Sequence, residues 1–424
     1  MPISWHARGV DERSAQFDGR RRAVLPEQLI GAGYLAPLQR LLDDLHSRPV
    51  HGNLRVGDSH LLVLHLLAFF NPVIRSLRLM EDLSQTPTAT KLMGTVERMP
   101  KSTLSDAHGR VDADILLPVM RELMARLPRD LRLDGDLAGI QQQILAGDAT
   151  YFQTLADLAW VLQNRKSNGK PGARVGLYVQ IDVATGVPFG GEGAGVQLGD
   201  HSLSESKLAR GHVVPDAIHL YDRGFVSFDL LKTVLKAHAD FVLRLTTQTQ
   251  FTVVEDRPLS DADHAAGILS DRIGHLTGSE KSDPPGELLR EVIVVNDADP
   301  LKPIRLLTSL LDLHAWQIAA LYRKRWQVEL FFRWLKIHGQ YTHLLSNNKD
   351  GAAWTFYVAI IGVTLLALHN GRRPSKYDLA MLSVVAAGGA TLDDILPILK
   401  RRHRERELAR IRDAKRRRSH VKPV

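Results

Sequence analysis

The segment "LYRKRWQVELFFRWLKIH", residues 321–338, threads charged side chains through a strongly apolar sequence. At about 100° per residue, four of its polar residues fall on one arc of roughly 60° around a helix. These four are Tyr322, Arg325, Glu329 and Lys336. Most of the remaining circumference is apolar, which predicts a helix that packs on most sides and presents a narrow polar stripe.

Two interpretations of this stripe remain open from periodicity alone. Arg325 and Glu329 are spaced i,i+4, so they could form a structural ion pair along the helix. Alternatively, Glu329 could bind a metal ion while the neighbouring cations hold a polyanion. Arg333 lies just beside the stripe, and no role is assigned to it.

Two further carboxylates favour the metal interpretation. Asp148 ends the apolar run in "GIQQQILAGD", and Asp222 ends the short strand-like run in "AIHLYD". Strand ends in open α/β sheets are where ligands and catalytic groups collect. Three oxygen ligands from separate segments suit Mg²⁺. The chain has no cysteine and no histidine pair with zinc spacing, so a thiolate or zinc site is not expected.

The pattern of the chain divides it into five parts. Residues 1–130 are mostly helical and are expected to bind DNA, and 131–246 interleave strands and helices as an α/β layer. Residues 247–305 are polar and strand-rich without a long helix, which predicts a β-rich insertion. Residues 306–370 return to a helical pattern that contains the acidic helix, and 371–424 form a helical region with a basic tail.

Within the first part, "MPKSTLSDAHGRV" predicts a short helix with Ser102 or Thr103 as its N-cap. This helix could be the second helix of a helix-turn-helix, although most short helices with serine caps bind nothing. In the fourth part, residues 354–368 form the longest apolar stretch. It is shorter than the roughly 18–20 residues of a membrane-spanning helix, and we interpret it as a buried core helix.

The net charge of +8 comes entirely from the C-terminal end. Residues 400–424 contain 12 Lys or Arg and 3 Asp or Glu, a net charge of +9, so the rest of the chain is close to neutral. Such a tail could contact the phosphate backbone of nucleic acid, or it could be a solubilising end. The absence of cysteine favours a reducing compartment, and the first 22 residues lack the apolar core of a signal peptide.

These motifs together resemble the bacterial DDE transposases of the insertion-sequence-4 type. That family has a signature of Tyr, two residues, Arg, three residues, Glu, six residues and Lys. Tyr322, Arg325, Glu329 and Lys336 fill it without gaps. The family's two aspartate contexts are matched by "GDAT" and "YDRGF". Near the family's His-Asp pair this chain departs from the pattern, with Asp200-His201 in reversed order.

The resemblance implies an α/β fold with a ribonuclease-H-like catalytic domain, interrupted by the β-rich insertion before its last acidic helix. It implies that Asp148, Asp222 and Glu329 are catalytic and hold two Mg²⁺ ions, for which Mn²⁺ could substitute. One ion would activate water or a 3′-hydroxyl, and the other would stabilise the leaving oxygen. Tyr322, Arg325 and Lys336 would bind DNA phosphates.

By the same resemblance, the partners would be transposon-end DNA and target DNA, bound by a homodimer, with no membrane involved. The expected location is the bacterial cytoplasm, associated with the nucleoid. Two other hypotheses remain. The chain could be a DNA-binding derivative that no longer catalyses, or a structure-specific nuclease on the same fold.

Overall fold

The computed structural model describes residues 36–47, 56–70, 74–92, 98–127, 137–153, 164–165, 171–189, 196–200, 204–278, 283–338 and 346–370. Positions 75, 138, 173, 297–298 and 347 inside these ranges are left out. Scattered positions from 377 to 412 are also described. Most of the basic tail, including every residue after Arg412, lies outside the described residues.

The described residues of the N-terminal part, from Ala36 onward, are mostly helical, as its Leu-, Met- and Ala-rich sequence predicts. Its helices are α1 (Ala36–Ser47), α2 (Asp58–Phe70), α3 (Leu77–Ser84), α4 (Pro87–Leu92), α5 (Lys101–Arg110), a 3₁₀ turn (Ala113–Leu116) and α6 (Leu117–Ala125). The predicted N-caps of the short helix are wrong: α5 begins after Pro100, so Ser102 and Thr103 lie in its first turn. Proline suits this position because it has no backbone N–H that needs a partner.

Strands dominate the middle of the chain. They are β1 (Ile144–Gln153), β2 (Asn164–Arg165), β3 (Pro171–Gly172), β4 (Arg174–Asp182), β5 (Val187–Pro188), β6 (Val196–Asp200), β7 (Ile218–Tyr221), β8 (Asp240–Arg244), β9 (Gln250–Asp256), β10 (Ile268–Thr277), β11 (Leu289–Val294) and β12 (Ile304–Thr308). The helices that accompany and follow them are α7 (Glu205–Arg210), α8 (Phe228–Lys236), α9 (Asp261–Ala265), α10 (Ala315–Lys324), α11 (Trp326–His338) and α12 (Lys349–Asn370).

Ten of these strands form one sheet in the order β5-β4-β1-β7-β8-β12-β11-β10-β9, with β6 also paired to β4. The three central strands β1, β7 and β8 run parallel, and the described pairs on either side are antiparallel. The strand-rich segment 247–305 therefore contributes β9, β10 and β11 to the same sheet as the central strands. It extends that sheet at one edge instead of forming a separate layer.

Alternation along the strands divides the core into two layers. On β8, Val242 faces a large core shared with the N-terminal helices and with α10, α11 and α12. Its neighbours Phe241 and Leu243 face a smaller core shared with α7 and α8. Successive side chains of a strand point to opposite faces, so the sheet is covered by helices on both sides.

Helix α12 lies in the larger core. Its residues from Ala352 to Ile361 are all buried, as expected for a core helix. No helix within the described part of the chain has the length and apolarity needed to cross a membrane.

A buried ion pair ties the segment 247–305 to the approach of α10. Arg290 is 1% exposed, and its Nε and Nη2 donate to Asp271 at 2.7 Å each. Its Nη1 donates to the carbonyl oxygens of Leu310 and Leu311, both at 3.3 Å, and also to that of Leu313. Because these carbonyls directly precede α10, the pair fixes where the helices of the candidate site begin.

We predict that Asp271→Ala lowers the free energy of unfolding by about 3–5 kcal/mol, because it leaves a buried guanidinium without its carboxylate. Urea unfolding of the full chain measures this loss. The exposed Asp256→Ala on β9 is the control and should change stability by less than about 0.5 kcal/mol. Equal effects of the two substitutions would contradict the proposed role of the pair.

Candidate active site

The central strands bring three polar residues into a row at one edge of the sheet. Ala146 of β1 pairs with Leu220 of β7, and Leu220 pairs with Val242 of β8. Continued by two residues, past the last recorded strand pairs, this register aligns Asp148 with Asp222 and Arg244. Arg244 was not among the candidate site residues predicted from the sequence. It is the last residue of β8, just as Asp222 directly follows β7.

The sequence predicted that Asp148 ends its strand, and this prediction is wrong. Asp148 lies in the middle of β1. Its parallel pairing with β7 ends at Ala146, while its antiparallel pairing with β4 continues. The position is therefore the end of the parallel ladder and not the end of the strand. Asp222 follows β7 as predicted, and its Oδ1 accepts a hydrogen bond from the backbone N–H of Gly224 at 2.7 Å.

The carboxyl of Asp148 lies in a crowded acidic environment. Its pKa is raised to about 7, chiefly by burial and in addition by the charges of Asp222 and Glu205. A hydrogen bond from the N–H of Ala149 at 2.8 Å and the charge of Arg325 act in the opposite direction. Without an added cation, this carboxyl is therefore half protonated near neutral pH.

The polar stripe lies at a break between two helices and not on one continuous helix. Helix α10 ends at Lys324, Arg325 forms the junction, and α11 begins at Trp326. The N–H of Arg325 bonds to the carbonyl of Tyr322 at 3.0 Å, and that of Val328 bonds to Arg325 at 3.1 Å. Both bonds span three residues, so the turn is tighter than an α-helix.

The Arg325 guanidinium lies between two of the predicted metal-binding carboxylates. Its Nη2 donates to Glu329, and its Nη1 lies 3.8 Å from Oδ2 of Asp148. The side chain is 11% exposed, and neither Nε nor Nη1 has a hydrogen-bond acceptor among the described residues. Burial disfavours its charge, but Tyr322, Glu329 and Asp148 outweigh burial and raise the pKa of Arg325.

Both interpretations of the stripe therefore describe part of the arrangement. The ion pair between Arg325 and Glu329 is present, and it faces Asp148 across the sheet edge. Among the residues that the structure describes, no group of three His, Asp or Glu side chains is spaced to hold a metal ion. The donors are nevertheless carboxylate oxygens in an acidic environment, which fits a hard divalent cation.

Tyr322 packs beside the same charges. The guanidinium carbon of Arg325 lies 5.6 Å from the centre of the Tyr322 ring. Burial raises the pKa of the Tyr322 hydroxyl, and the nearby positive charges of Arg325 and Arg244 partly offset the rise. The hydroxyl is therefore a neutral donor near neutral pH.

The outer face of α11 is more exposed than the apolar pattern predicted. Trp326 is 48% exposed and Leu330 is 37% exposed, whereas Val328, Phe331 and Phe332 are buried. Arg333 places its guanidinium carbon 5.8 Å from the centre of the Trp326 ring. Lys336 lies on the helical backbone of α11, but its side chain is outside the described residues, as is that of Asp200 on β6.

Sequence reasoning missed Glu205, the first residue of α7. A Cβ atom built on Gly224 would lie 2.6 Å from Oε2 of Glu205 and 3.0 Å from Oδ1 of Asp222. The two carboxylates therefore share the space above one glycine. No spacing rule links position 205 to the other acids, because it is brought close only by the packing of α7.

Comparison with known proteins gives this site a context. Residues 200–362 match the family model described as Transposase DDE domain. Asp222 and Glu329 lie inside this match, whereas Asp148 lies before it.

Curated relatives carry the same kind of name. A Sinorhizobium fredii sequence named as a transposase is 25% identical over 284 residues, which cover 65% of this chain and 75% of the relative. A Synechocystis sequence named as the transposase of insertion sequence element IS4SA is 24% identical over 285 residues, covering 64% of this chain and 72% of the relative.

A solved structure also matches in part. The piggyBac transposase synaptic complex with hairpin DNA is 11% identical, with 85% of this chain and 78% of that chain covered and a TM-score of 0.35. From the family model and the named relatives, we conclude that this chain carries a transposase DDE domain and is an enzyme of the DDE transposase class.

Proposed function

We propose that this chain is an insertion-sequence-4-type transposase that cleaves DNA at transposon ends and joins the freed 3′-hydroxyl to target DNA. The observation that carries the proposal is the meeting of Asp148, Asp222 and the Arg325–Glu329 pair at one sheet edge. These groups come from segments far apart in the chain. A purely structural ion pair would not require two further carboxylates beside it.

Asp148, Asp222 and Glu329 would hold the divalent cations, two Mg²⁺ with Mn²⁺ as a substitute. When bound, the cations would lower the pKa of the attacking hydroxyl or water and stabilise the leaving oxygen. The three carboxylates contribute negative charge and fixed position, since two come from the central sheet and one from the helix packed on it. No side-chain nucleophile is required.

Arg325, Tyr322 and Lys336 would contact phosphates of the transposon end. Arg325 supports this role most directly, since its Nε and Nη1 have no acceptor in the described part of the chain although the side chain is mostly buried. A phosphate oxygen would supply the missing acceptor, and a guanidinium binds phosphate well because its planar fork can donate two bonds.

The partners follow from the reaction. Transposon-end DNA and target DNA would both bind, and a homodimer would bring two ends together. We propose that the reaction takes place in the bacterial cytoplasm, on the DNA of the nucleoid. Helix α5 and the basic tail are additional candidates for DNA binding. A DNA-binding derivative without catalysis, or a nuclease on the same fold, is the competing function.

We expect Asp148→Ala, Asp222→Ala and Glu329→Ala each to reduce Mg²⁺-dependent cleavage at least about a thousandfold, because several kcal/mol of transition-state stabilisation would be lost. Binding of uncleaved end DNA should persist. The substrate is a duplex that carries the element's terminal repeats, and nicking is followed on denaturing gels.

Asp229→Ala on α8 is the matched control, since that carboxylate is exposed and pairs with Arg210 away from the site. Robust nicking by any of the three site variants would contradict the assignment. Joining of a 3′-hydroxyl end to a second duplex separates a transposase from a nuclease.

For Arg325→Ala, and likewise for Lys336→Ala, we expect weaker binding of cleaved ends and a slope of log K against log salt that is shallower by about one. The reason is that one phosphate contact, with its released counterion, is lost. Lys302→Ala, an exposed cation on the loop before β12, should leave the slope unchanged. A slope equal to wild type in Arg325→Ala would refute the phosphate contact.

The pKa of Asp148 predicts a pH-dependent stability in chelator. Its rise from 3.8 to about 7 means that the folded state retains a proton that the unfolded state has lost. Stability due to this group is therefore present below about pH 4 and is lost as pH rises to about 7.

The Asn side chain of Asp148→Asn does not titrate. As pH rises from about 4 to about 7, the free energy of unfolding of the variant should therefore increase relative to that of wild type. We expect near-equal stability at about pH 4 and a variant more stable by about 2–4 kcal/mol at about pH 8, since the rise in pKa already includes the attraction to Arg325. Urea unfolding at the two pH values measures the difference. If Asp148→Asn is destabilised equally at both pH values, the pKa of Asp148 is not raised in the folded protein.

A further inference from the structure

We infer that two buried tyrosines beneath β1, Tyr178 and Tyr221, are positioning residues for the reaction and act through the backbone of Gly147. This inference rests on the proposed function, since it concerns the placement of Asp148 and Asp222. The tyrosine pair would not touch the DNA or the cations. It would fix where the two aspartates stand relative to each other.

The tyrosine pair lies on the two strands that flank β1. Tyr178 of β4 stands opposite Ala149 of β1, the residue after Asp148. Tyr221 is the last residue of β7 and directly precedes Asp222. Each tyrosine therefore lies within one residue of an aspartate, either along the chain or across the strand pair.

The two tyrosine side chains meet beneath Gly147, the residue before Asp148. A Cβ atom built on Gly147 would lie 2.7 Å from the hydroxyl oxygen of Tyr178 and 2.9 Å from Cε1 of Tyr221. Both distances are shorter than real Cβ contacts, so both tyrosines pack directly against the backbone of β1. The φ of Gly147 is not positive. Glycine is therefore required here for space and not for backbone freedom.

Aromatic packing holds the tyrosine pair in place. Both tyrosines are 0% exposed. The centre of the Phe225 ring lies 5.1 Å from that of Tyr221 and 6.1 Å from that of Tyr178, and the His212 ring stacks on Tyr178 at 5.6 Å. Phe225 also ends the 3₁₀ turn that Asp222 caps. The same cluster therefore supports β1 before one aspartate and the turn after the other.

The hydroxyl groups of the pair are not explained by hydrogen bonding. Among the described residues, neither hydroxyl has a partner at normal hydrogen-bond distance. Burial raises the pKa of both, so both are neutral. A poorly satisfied buried hydroxyl costs about 1–3 kcal/mol, so phenylalanine would suit this core better on packing grounds alone. The Tyr178 hydroxyl instead fills the space that the missing Cβ atom of Gly147 leaves open.

This packing bears directly on the reaction. Gly147 precedes Asp148 and Tyr221 precedes Asp222, so their contact joins the backbone positions before both aspartates. Under the proposed function, the two carboxylates must stand at a fixed separation to hold the cations. A displacement of about 1 Å at a reacting centre can lower a rate about a hundredfold.

The first test is Gly147→Ala, whose Cβ atom would push β1 away from the tyrosine pair. With saturating terminal-repeat duplex, we expect the rate of Mg²⁺-dependent nicking to fall about a hundredfold, while the dissociation constant of uncleaved ends stays within about twofold of wild type. Gly139→Ala is the matched control, because a Cβ atom there meets nothing within 4 Å. It should cleave as wild type does.

A second substitution separates positioning from a general loss of packing. Tyr178→Phe removes the oxygen at 2.7 Å and leaves Cζ at 3.4 Å, an ordinary contact. We therefore expect Gly147→Ala combined with Tyr178→Phe to recover about tenfold in rate over Gly147→Ala alone. Tyr221→Phe in the same background is the control. It also loses a buried hydroxyl, but its contact is made by a ring carbon that remains, so the rate should not recover.

Tyr178→Phe alone keeps the inference testable if Gly147→Ala does not fold. It leaves a gap under Gly147, and we expect a rate about 3- to 10-fold below wild type with unchanged affinity for uncleaved ends. Thermal unfolding gives the temperature at which every variant is folded, and rates are compared there.

Three results would overturn the inference. The first is wild-type nicking by folded Gly147→Ala, or by Tyr178→Phe where Gly147→Ala does not fold. The second is a loss of nicking matched by an equal loss of DNA affinity, which would indicate a structural defect. The third is the same rate in the two double variants.

Asp148→Ala separates this inference from the proposed function on which it rests. If Asp148→Ala still nicks, the proposed function fails whatever Gly147→Ala does. If Asp148→Ala is inactive and Gly147→Ala cleaves as wild type does, only the positioning role of the tyrosine pair is wrong.

Discussion

The candidate site depends on one buried cation, the guanidinium of Arg325. It pairs with Glu329 on its own helical segment and faces Asp148 on the central sheet, so it links the two parts of the chain that the site requires. Because α11 packs against β1 and β4, the guanidinium is held where two negative charges converge. Two of its nitrogens have no acceptor among the residues that the structure describes. Under the proposed function, the group that pairs with Glu329 in this structure is also the one that would contact a phosphate of the transposon end.

The surrounding fold positions this cation. Arg325 stands at the junction between α10 and α11, and α10 begins where Arg290 holds the preceding carbonyls. Asp263 of the short helix α9 also accepts a hydrogen bond from the N–H of Trp316 in the first turn of α10, at 2.9 Å. The segment 247–305 therefore does more than extend the sheet at one edge. It fixes the start of the helices that deliver Arg325 and Glu329 to the site.

The acids at the sheet edge have different environments, and these differences bear on how the site would bind divalent cations. Asp148 is buried with other carboxylates nearby, so its pKa is raised. Glu329 is paired to a guanidinium within its own segment. Asp222 caps the turn at Gly224 and shares space with Glu205. Under the proposed function, an arrangement with this much negative charge would gain stability from divalent cations. The charge that destabilises the metal-free fold is the charge that would bind them.

The sequence by itself determined the alternation of strands and helices, the strand-rich segment and the buried core helix, and it named Asp148, Asp222 and Glu329 as candidate site acids. These follow from periodicity and from motifs within short segments, which local geometry controls. Only the tertiary structure decided that Asp148 lies within β1 at the end of its parallel ladder, since that depends on the length of β7. The helix break at Arg325, the exposure of Trp326 and Leu330, and the approach of Glu205 and Arg244 were also decided there. Each depends on packing between segments distant in the chain, where no residue spacing records which surfaces meet.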